Sequence, residues 1–312
     1  MTTRVLSAAF IVLIADCAAV RPADAQDLDP RAYLKVPMGS NVVITGFNFS
    51  SGSVLADPTS VVQIDQADVS TASIGYVRSF PLFGKTGQAM AALPYTWGDV
   101  SGSVGTQMGR VTRSGLSDMR LRLSVLLAGA PAMTLQEYVK SPRKPILGAS
   151  LTVSAPTGQY YPERLINLGT NRWGFKPEIG VSFPLGRRWL ADVYAGLWRF
   201  TDNGSFYPGT RTRTQETVGA LQAHLSYSLS TRAWVALNST WYTGGQATVD
   251  GEPTGTSLSG TRIGATLVFP VGTRHAVKVA CSTGAVIWYG ADFTTFSVGW
   301  QTGWFDKRAR GR

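Results

Sequence analysis

The chain has 312 residues and a formal net charge of +10, with 15% charged against 44% hydrophobic residues. Its mean hydropathy is +0.03, and beyond the first 25 residues no run of about 18 apolar residues occurs, which excludes a membrane-spanning helix. The 29 Lys and Arg residues are spread along the chain rather than clustered with aromatic residues, so nucleic acid is not an expected partner.

The N-terminus has the composition of a secretory signal peptide. Arg4 supplies a positive charge before an apolar stretch, and Ala23-Asp24-Ala25 matches an A-x-A cleavage site. We therefore expect residues 1–25 to be removed and the mature chain to begin at Gln26.

Cysteine usage agrees with export. Cys17 lies in the segment expected to be removed, so only Cys281 remains and no intrachain disulfide is expected. Lipidation of Cys17 is the alternative, but Asp16 directly before it does not suit a lipoprotein processing site.

Alternation of apolar and polar residues with period two predicts about twelve β-strands. In chain order they are Val42–Phe49, Ser73–Phe80, Gly87–Tyr95, Met119–Leu127, Ile146–Ala155, Trp173–Phe183, Trp189–Phe200, Val218–Tyr227, Ala233–Tyr242, Ser259–Phe269, Ala276–Ala285 and Phe293–Trp304. In the sixth strand Phe175 and Ile179 share one phase. Lys176 and Glu178 share the other. An even number of strands places both termini on the periplasmic side.

Short turns and long polar linkers alternate between these strands. Three turns share the order aromatic, Pro, aliphatic, Gly, cation; they lie in Phe80–Lys85, Phe183–Arg188 and Phe269–Arg274. Pro fixes φ in such turns and Gly allows the left-handed corner. Short turns on one side and long loops on the other are typical of an outer-membrane β-barrel.

The sequence therefore predicts an all-β fold: a transmembrane antiparallel β-barrel of about 12 strands over residues 42–305, in the outer membrane of a Gram-negative bacterium. A soluble periplasmic β-sandwich is the alternative. The number of strands, the one-sided loop lengths and the aromatic strand ends favour the barrel. Outer-membrane lipid and lipopolysaccharide are the expected surroundings.

Three segments lie outside the regular pattern. Residues 26–41 are expected to remain in the periplasm or to enter the lumen as a plug. The connection Ala128–Pro145 is long for a periplasmic turn, and Met133–Val139 is a candidate for a short interfacial helix. Residues 306–312 form a basic tail after Trp304-Phe305. An aromatic residue close to the terminus is expected for recognition by the barrel-assembly machinery during biogenesis, and the seven-residue tail departs from that pattern.

A set of motifs extends over nearly the whole mature chain. They are Pro30-Arg31-Ala32-Tyr33, Pro37, Gly39, Asn41, Gly46-Phe47, Ala92-Leu93-Pro94-Tyr95, Gly98-Asp99, Ser101-Gly102, Gly115-Leu116, Asp118, Arg120-Leu121-Arg122, the run from Ser154 to Tyr160 and the run from Asn167 to Trp173. Together they resemble the meta-pathway phenol-degradation family of bacterial outer-membrane barrel proteins, which are labelled transporters. Met38 departs from the Val expected there. The resemblance implies a barrel and the passage of aromatic or other small hydrophobic compounds, and it brings no catalytic residues.

Residues able to support catalysis are few. His224 and Ser226 share a strand face, but strand rise separates them by about 7 Å, too far for a nucleophile–base hydrogen bond. The sequence shows no His, Cys, Asp and Glu cluster with metal-ligand spacing. We therefore expect no enzymatic activity, cofactor or metal, and a lipid-modifying barrel enzyme is the least favoured alternative.

Charged and titratable residues in the inward phase form the first candidate site. They are Arg120, Arg122, Lys176, Glu178, Asp192, His224, Arg262 and Lys278. An Arg or Lys facing lipid at the midplane would cost about 2–4 kcal/mol, so these side chains are expected to face the lumen. A cationic wall would attract anionic solutes such as aromatic carboxylates. The alternative is a ladder of salt bridges, such as Lys176–Glu178, that only stiffens the barrel.

The third outer loop supplies a second candidate set. It comprises Tyr160, Tyr161, Arg164, Asn171 and Arg172. These side chains would line an entrance for a ring-bearing ligand, unless the loop merely folds on the barrel rim. The expected function is passive uptake of small, aromatic or anionic compounds, with a closed structural or adhesive barrel as the alternative.

Overall fold

The computed structural model describes residues 29–55, 62–104, 107–164, 166–254 and 257–306. The expected signal peptide lies outside these residues, as does the expected tail beyond residue 306. The strands are β1 Ser40–Leu55, β2 Val62–Leu82, β3 Lys85–Val104, β4 Gln107–Leu116, β5 Met119–Ala128, β6 Ile146–Ala155, β7 Gly174–Leu185, β8 Trp189–Phe200, β9 Asn203–Phe206, β10 Arg211–Gln215, β11 Val218–Ser228, β12 Trp234–Gly244, β13 Ala247–Val249, β14 Glu252–Thr254, β15 Leu258–Val271 and β16 His275–Phe305. One helix, α1, spans Leu135–Lys140.

The antiparallel sheet closes on itself, because β1 pairs with β2 on one side and with β16 on the other. The remaining wall strands follow in the order β2, β3, β5, β6, β7, β8, β11, β12, β15 and β16. β16 supplies two spanning segments: residues 275–289 pair with β15, and residues 290–305 pair with β1. The prediction of an antiparallel barrel with twelve spanning segments is confirmed.

The short turns lie where the sequence predicts them. β2 and β3 are joined by Phe83 and Gly84 alone, with φ of 49° and 72°. Positive φ at both central residues characterises the hairpin turn whose twist matches that of the flanking strands. Gly186 and Gly272 open the corresponding turns after β7 and β15, again with positive φ.

Several predicted boundaries were wrong at the opposite end of the barrel. The strand expected at Gly87–Tyr95 continues to Val104 and pairs with β4, so the expected linker 96–118 is largely a β-hairpin arm. The linkers after β8 and β12 contain β9, β10, β13 and β14, which form a separate four-stranded sheet. Apolar alternation marks only the part of a strand that faces lipid, whereas cross-strand hydrogen bonds continue where both faces meet water.

The connection between β5 and β6 contains α1, within two residues of the helix predicted there. Thr134 and Glu137 form a reciprocal capping box that satisfies free backbone N–H groups at its start. In the part of the chain that the structure describes, no helix is long and apolar enough to cross a membrane.

Apolar side chains face outward and polar side chains face inward, the reverse of a water-soluble protein. On β11, Leu221 and Leu225 are exposed, while Gln222, His224 and Ser226, in the opposite phase, are buried. The same phase on β7 exposes the predicted lipid-facing residues and buries the predicted inward ones. An outward apolar belt around a polar interior is the arrangement of a barrel in lipid, so this barrel lies in the outer membrane.

Candidate functional site in the barrel lumen

The N-terminal segment, residues 29–39, lies against the inner wall, and Tyr33 is its most buried residue, with no exposed surface. Its ring packs where Gly148 of β6 and Gly180 of β7 face each other as cross-strand partners. A Cβ on Gly148 would lie 2.2 Å from the Tyr33 ring, and one on Gly180 would lie 2.3 Å from it. The two glycines therefore form a recess that accepts the ring because neither has a side chain.

Polar contacts hold the Tyr33 hydroxyl in this recess. It donates to Glu178 Oε1 at 2.8 Å and lies 2.8 Å from Ser150 Oγ. The ring also meets Tyr194 edge-on, with centroids 5.0 Å apart. The segment is thus anchored to β6, β7 and β8 by packing and hydrogen bonds together.

Glu178 is the centre of the charged cluster in this wall. Besides Tyr33, it accepts from Lys176 Nζ at 2.9 Å, Arg122 Nη2 at 3.2 Å and Gln222 Nε2 at 3.1 Å. Its side chain is only 7% exposed. A buried carboxylate is tolerated when cations and hydrogen-bond donors satisfy its oxygens. The ion pair between Lys176 and Glu178, which the salt-bridge alternative requires, is present in the structure.

Asp192 makes a second anchor for the N-terminal segment. Its Oδ2 accepts from the backbone N of Arg31 at 3.2 Å, and its Oδ1 accepts from Ser182 Oγ at 2.5 Å. Arg31 has a φ of 66°, which is unusual for a residue with a side chain, and its Nη2 donates to Ser228 Oγ at 3.0 Å. Asp192 therefore fixes an unusual turn of the segment as well as its position.

His224 faces the lumen as the cross-strand partner of Asp192. Its Nδ1 lies 2.9 Å from Asn238 Oδ1, and Asn238 in turn donates to Thr266 Oγ1 at 3.0 Å. Within the described residues, neither His224 Nε2 nor Ser226 Oγ has a hydrogen-bond partner. The imidazole is thus held by an amide, and the hydrogen bond that would activate a serine nucleophile is not formed.

Across the lumen, Arg262 of β15 is 4% exposed. Its Nη2 donates to the Phe293 carbonyl at 2.9 Å and lies 3.3 Å from Ser282 Oγ and 3.5 Å from Thr295 Oγ1. Among the residues that the structure describes, Arg262 forms no ion pair. Within those residues, the oxygens that its Nη2 contacts are therefore neutral.

Lys278 of β16 pairs with a residue of the N-terminal segment. Its Nζ lies 2.5 Å from Asp29 Oδ1. Both side chains are partly exposed, at 26% and 56%. This contact ties the start of the segment to the wall opposite the Tyr33 recess.

Arg120 lies closer to the long-loop end, beside two stacked rings. Its guanidinium is 5.8 Å from the Trp198 ring, and Lys176 Nζ is 5.9 Å from the same ring. Trp198 stacks with Phe200 at a centroid distance of 5.9 Å. Neither ring was among the predicted site residues, although both share the inward phase of Asp192 on the same strand.

The structure divides the predicted loop set. Tyr160 donates its hydroxyl to the Ser205 carbonyl, and both Tyr160 and Asn171 bond Asn203, so these two side chains fold the loop onto β9. Tyr161 is 40% exposed, and the guanidinium of Arg164 lies 4.3 Å from the centroid of its ring.

Arg172 does not lie with the other predicted residues of that loop. It is 4% exposed, donates to Gln215 Oε1 at 2.6 Å and lies 4.3 Å from the Phe200 ring centroid. Arg172 therefore joins Arg120 and Lys176 beside the two stacked rings rather than its neighbours in the loop.

Comparison with known proteins agrees with this architecture. A solved outer membrane channel from Pseudomonas putida F1 matches with a TM-score of 0.77 and 19% identity, over 89% of this chain and 100% of that one. The transport unit of the autotransporter AIDA-I from Escherichia coli matches with a TM-score of 0.54 and 8% identity, over 88% and 92% of the two chains. Both likenesses concern the fold. A search of curated proteins finds no match.

Family membership rests on the sequence match. The family model described as "Putative MetA-pathway of phenol degradation" matches residues 33–305, which include the Tyr33 recess and every strand of the barrel. Since the match covers most of the chain, this protein belongs to that family of outer-membrane barrel proteins.

Proposed function

We propose that this barrel is an outer-membrane channel through which small solutes pass passively, with anionic and aromatic compounds favoured. The observation that carries the proposal is the charge of the lumen wall. Of the charged residues predicted to face inward, five are cations, Arg120, Arg122, Lys176, Arg262 and Lys278, and two are carboxylates, Glu178 and Asp192. Asp29 and Arg31 of the N-terminal segment add one charge of each sign.

The excess positive charge of the lumen wall would favour anionic solutes by electrostatic attraction. A charged wall within a low-dielectric barrel raises the local concentration of solutes of opposite sign and lowers their barrier to entry. The N-terminal segment narrows the lumen along β6, β7 and β8, where Tyr33 is held. Because Lys278 of β16 also holds the start of the segment, passage is expected beside the segment rather than along one wall.

Ion selectivity in a planar lipid bilayer tests this proposal. With unequal KCl on the two sides, the refolded mature chain should give discrete current steps and a reversal potential that indicates chloride preference. Replacing Arg120, Arg122, Arg262 and Lys278 by Gln should shift the reversal potential towards cations. Arg110→Gln is the control, because Arg110 is exposed and paired with Asp99 outside the lumen. An unchanged reversal potential in the fourfold variant would contradict the proposal.

A closed structural or adhesive barrel is the second candidate, and the packed Tyr33 recess favours it. A folded wild-type barrel that passes no current would support this candidate. Tyr33→Ala separates the two cases, because loss of the ring leaves the recess empty. Current steps that appear only in Tyr33→Ala would show that the N-terminal segment closes the lumen. The absence of current in both proteins would show that the lumen is closed throughout.

A further inference from the structure

Every connection at the short-turn end of the barrel has an exposed cation on it or directly after it. In chain order these residues are Lys85, Lys144, Arg187, Arg232 and Arg274. The described carboxylates at this end each have a partner of their own: Asp29 pairs with Lys278, Glu137 caps α1, and Asp306 lies 2.7 Å from Arg78. The short-turn end is therefore a rim of net positive charge.

Two neighbouring connections bring four cations together at one place on this rim. Arg143 and Lys144 precede β6, and Arg187 and Arg188 lie in the turn between β7 and β8; we call these four residues the rim cluster. All four are exposed. The Arg143 guanidinium donates a hydrogen bond to the backbone carbonyl of Arg187, 44 residues along the chain. The fold thus joins two cation pairs that are far apart in the sequence.

The backbone that carries Arg143 is held in place. Lys35 of the N-terminal segment donates from its Nζ to the carbonyl of Ser141 at 2.8 Å and to that of Pro142 at 3.0 Å. The backbone N of Ser141 donates to the Tyr138 carbonyl at the end of α1. A group whose backbone is already fixed loses less conformational entropy when it binds a ligand. One side of the rim cluster is therefore ordered in advance.

The rim cluster has no counter-charge in the part of the chain that the structure describes. The ion pairs formed there by other residues include none of its four cations. Like charges in a small area repel one another, and together they attract an anion more strongly than one cation does. The cluster therefore favours binding of an anionic group.

An outward-facing aromatic pair adjoins the rim cluster. Trp189 follows Arg188 directly and is the cross-strand partner of Tyr227, with ring centroids 4.8 Å apart. Arg188 Nη1 donates to the Tyr227 hydroxyl at 2.9 Å. Trp189 is 45% exposed, in the lipid-facing phase of β8. Because such aromatic residues mark the membrane–water interface, the cluster lies at the level of the lipid headgroups.

We propose that the rim cluster binds the headgroup of an anionic phospholipid from the periplasmic leaflet. Phosphate oxygens would accept charge-assisted hydrogen bonds from the guanidinium groups. The acyl chains would lie along the outward side chains of Phe183 and Val193, which extend the apolar surface from Trp189. A phospholipid uses both the cations and this apolar surface, whereas an acidic protein would use only the cations. The site lies on the outer rim, so its occupancy does not depend on conduction through the lumen.

Native mass spectrometry of the folded mature chain in detergent tests the site. The chain is titrated with phosphatidylglycerol and, separately, with phosphatidylethanolamine that has the same acyl chains. Both lipids carry a phosphate, but only phosphatidylglycerol has a net negative charge. It should bind at least about fivefold more tightly, the scale of one favourable cation contact. Equal affinity for the two lipids would overturn the inference, and so would the absence of bound phosphatidylglycerol.

Matched variants locate the binding. Arg187→Gln removes one charge but keeps the backbone carbonyl that Arg143 contacts, so it should fold and weaken phosphatidylglycerol binding about fivefold. Adding Arg143→Gln and Arg188→Gln should weaken binding more than tenfold in total. The control replaces Arg110, Arg164 and Arg211 by Gln, which removes the same charge at the long-loop end.

The control should bind phosphatidylglycerol as wild type does, and affinity for phosphatidylethanolamine should change little in any variant. If the triple rim variant does not fold, Arg187→Gln alone decides the test. Phosphatidylglycerol affinity unchanged in Arg187→Gln would overturn the site. An equal loss in the control and the triple rim variant would also overturn it, because net charge rather than the rim cluster would then determine binding.

Discussion

Arg122 and Arg262 are lumen-facing arginines on opposite walls of one barrel, and their surroundings differ. Arg122 lies 3.2 Å from the carboxylate of Glu178 and 5.1 Å from the ring of Tyr33. Arg262 contacts a carbonyl and two hydroxyl groups. The same residue type in the same strand phase thus serves two purposes. Arg122 helps to hold the N-terminal segment, whereas Arg262 forms no ion pair within the described residues and is the residue we propose to attract anions.

The largest loss of stability is expected from removing the carboxylate of Glu178, the centre of the charged cluster in the wall that holds the N-terminal segment. Glu178→Gln leaves Lys176 and Arg122 largely buried without their counter-charge, and breaking a buried pair in this way costs about 3–5 kcal/mol. Denaturant unfolding of the barrel in lipid vesicles should show this loss. Glu216→Gln, at an exposed position between β10 and β11, is the control and should change stability little. Equal stability of Glu178→Gln and wild type would show that the cluster is not the anchor described above.

Filling the glycine recess should release the N-terminal segment while the wall remains folded. A Cβ on Gly180 would lie 2.3 Å from the Tyr33 ring and 2.6 Å from Tyr194, so Gly180→Ala forces the ring out. Trypsin should then cut at Arg31, which wild type protects. Gly98→Ala is the matched control, because a Cβ there meets nothing within 4 Å. Continued protection of Arg31 in Gly180→Ala would contradict the proposed recess.

The smallest loss of stability is expected from removing a solvent-exposed ion pair that lies outside the barrel lumen. Asp250 accepts from Arg211 Nε at 2.7 Å and from the backbone N of Thr212 at 2.8 Å. The hydrogen bond from Arg211, with that from the backbone, lowers the pKa of Asp250 below its ordinary value of 3.8. The folded state therefore gains stability from ionised Asp250 above about pH 4, and this gain is lost as pH falls through the lowered pKa.

Amide hydrogen exchange in the sheet of β9, β10, β13 and β14, corrected for intrinsic exchange rates, measures this loss of stability. Protection of β10 and β13 should decrease below pH 4 in wild type. In Asp250→Asn it should be slightly lower at neutral pH and should no longer depend on pH in that range. An identical pH dependence in the two proteins would exclude Asp250 as the titrating group.

Strand phases were predictable because lipid imposes them. On β7 and β11, period-two alternation identified the buried faces, including Lys176 and His224. The β4 arm lacks that constraint, because it extends beyond the lipid. The sheet of β9, β10, β13 and β14 buries Phe206 and Val249 on one face, but its strands are too short for alternation to identify them. These segments were therefore interpreted as linkers.

Contacts across the lumen were not predictable from a linear pattern. Tyr33 and Glu178 are 145 residues apart, and the recess depends on the register that places Gly148 opposite Gly180. Alternation fixes which face a residue takes, but it does not fix register between strands. The inward phase of Trp198, in contrast, follows from the alternation of β8 and was predictable from the sequence.

Reversal potentials of three proteins under unequal KCl test the central claim most directly: that Arg262, which forms no ion pair within the described residues, attracts anions more than Arg122, which pairs with Glu178. We predict that wild type prefers anions, that Arg262→Gln loses much of this preference, and that Arg122→Gln changes it less. A wild-type channel that prefers cations, or a larger shift in Arg122→Gln than in Arg262→Gln, would contradict the account.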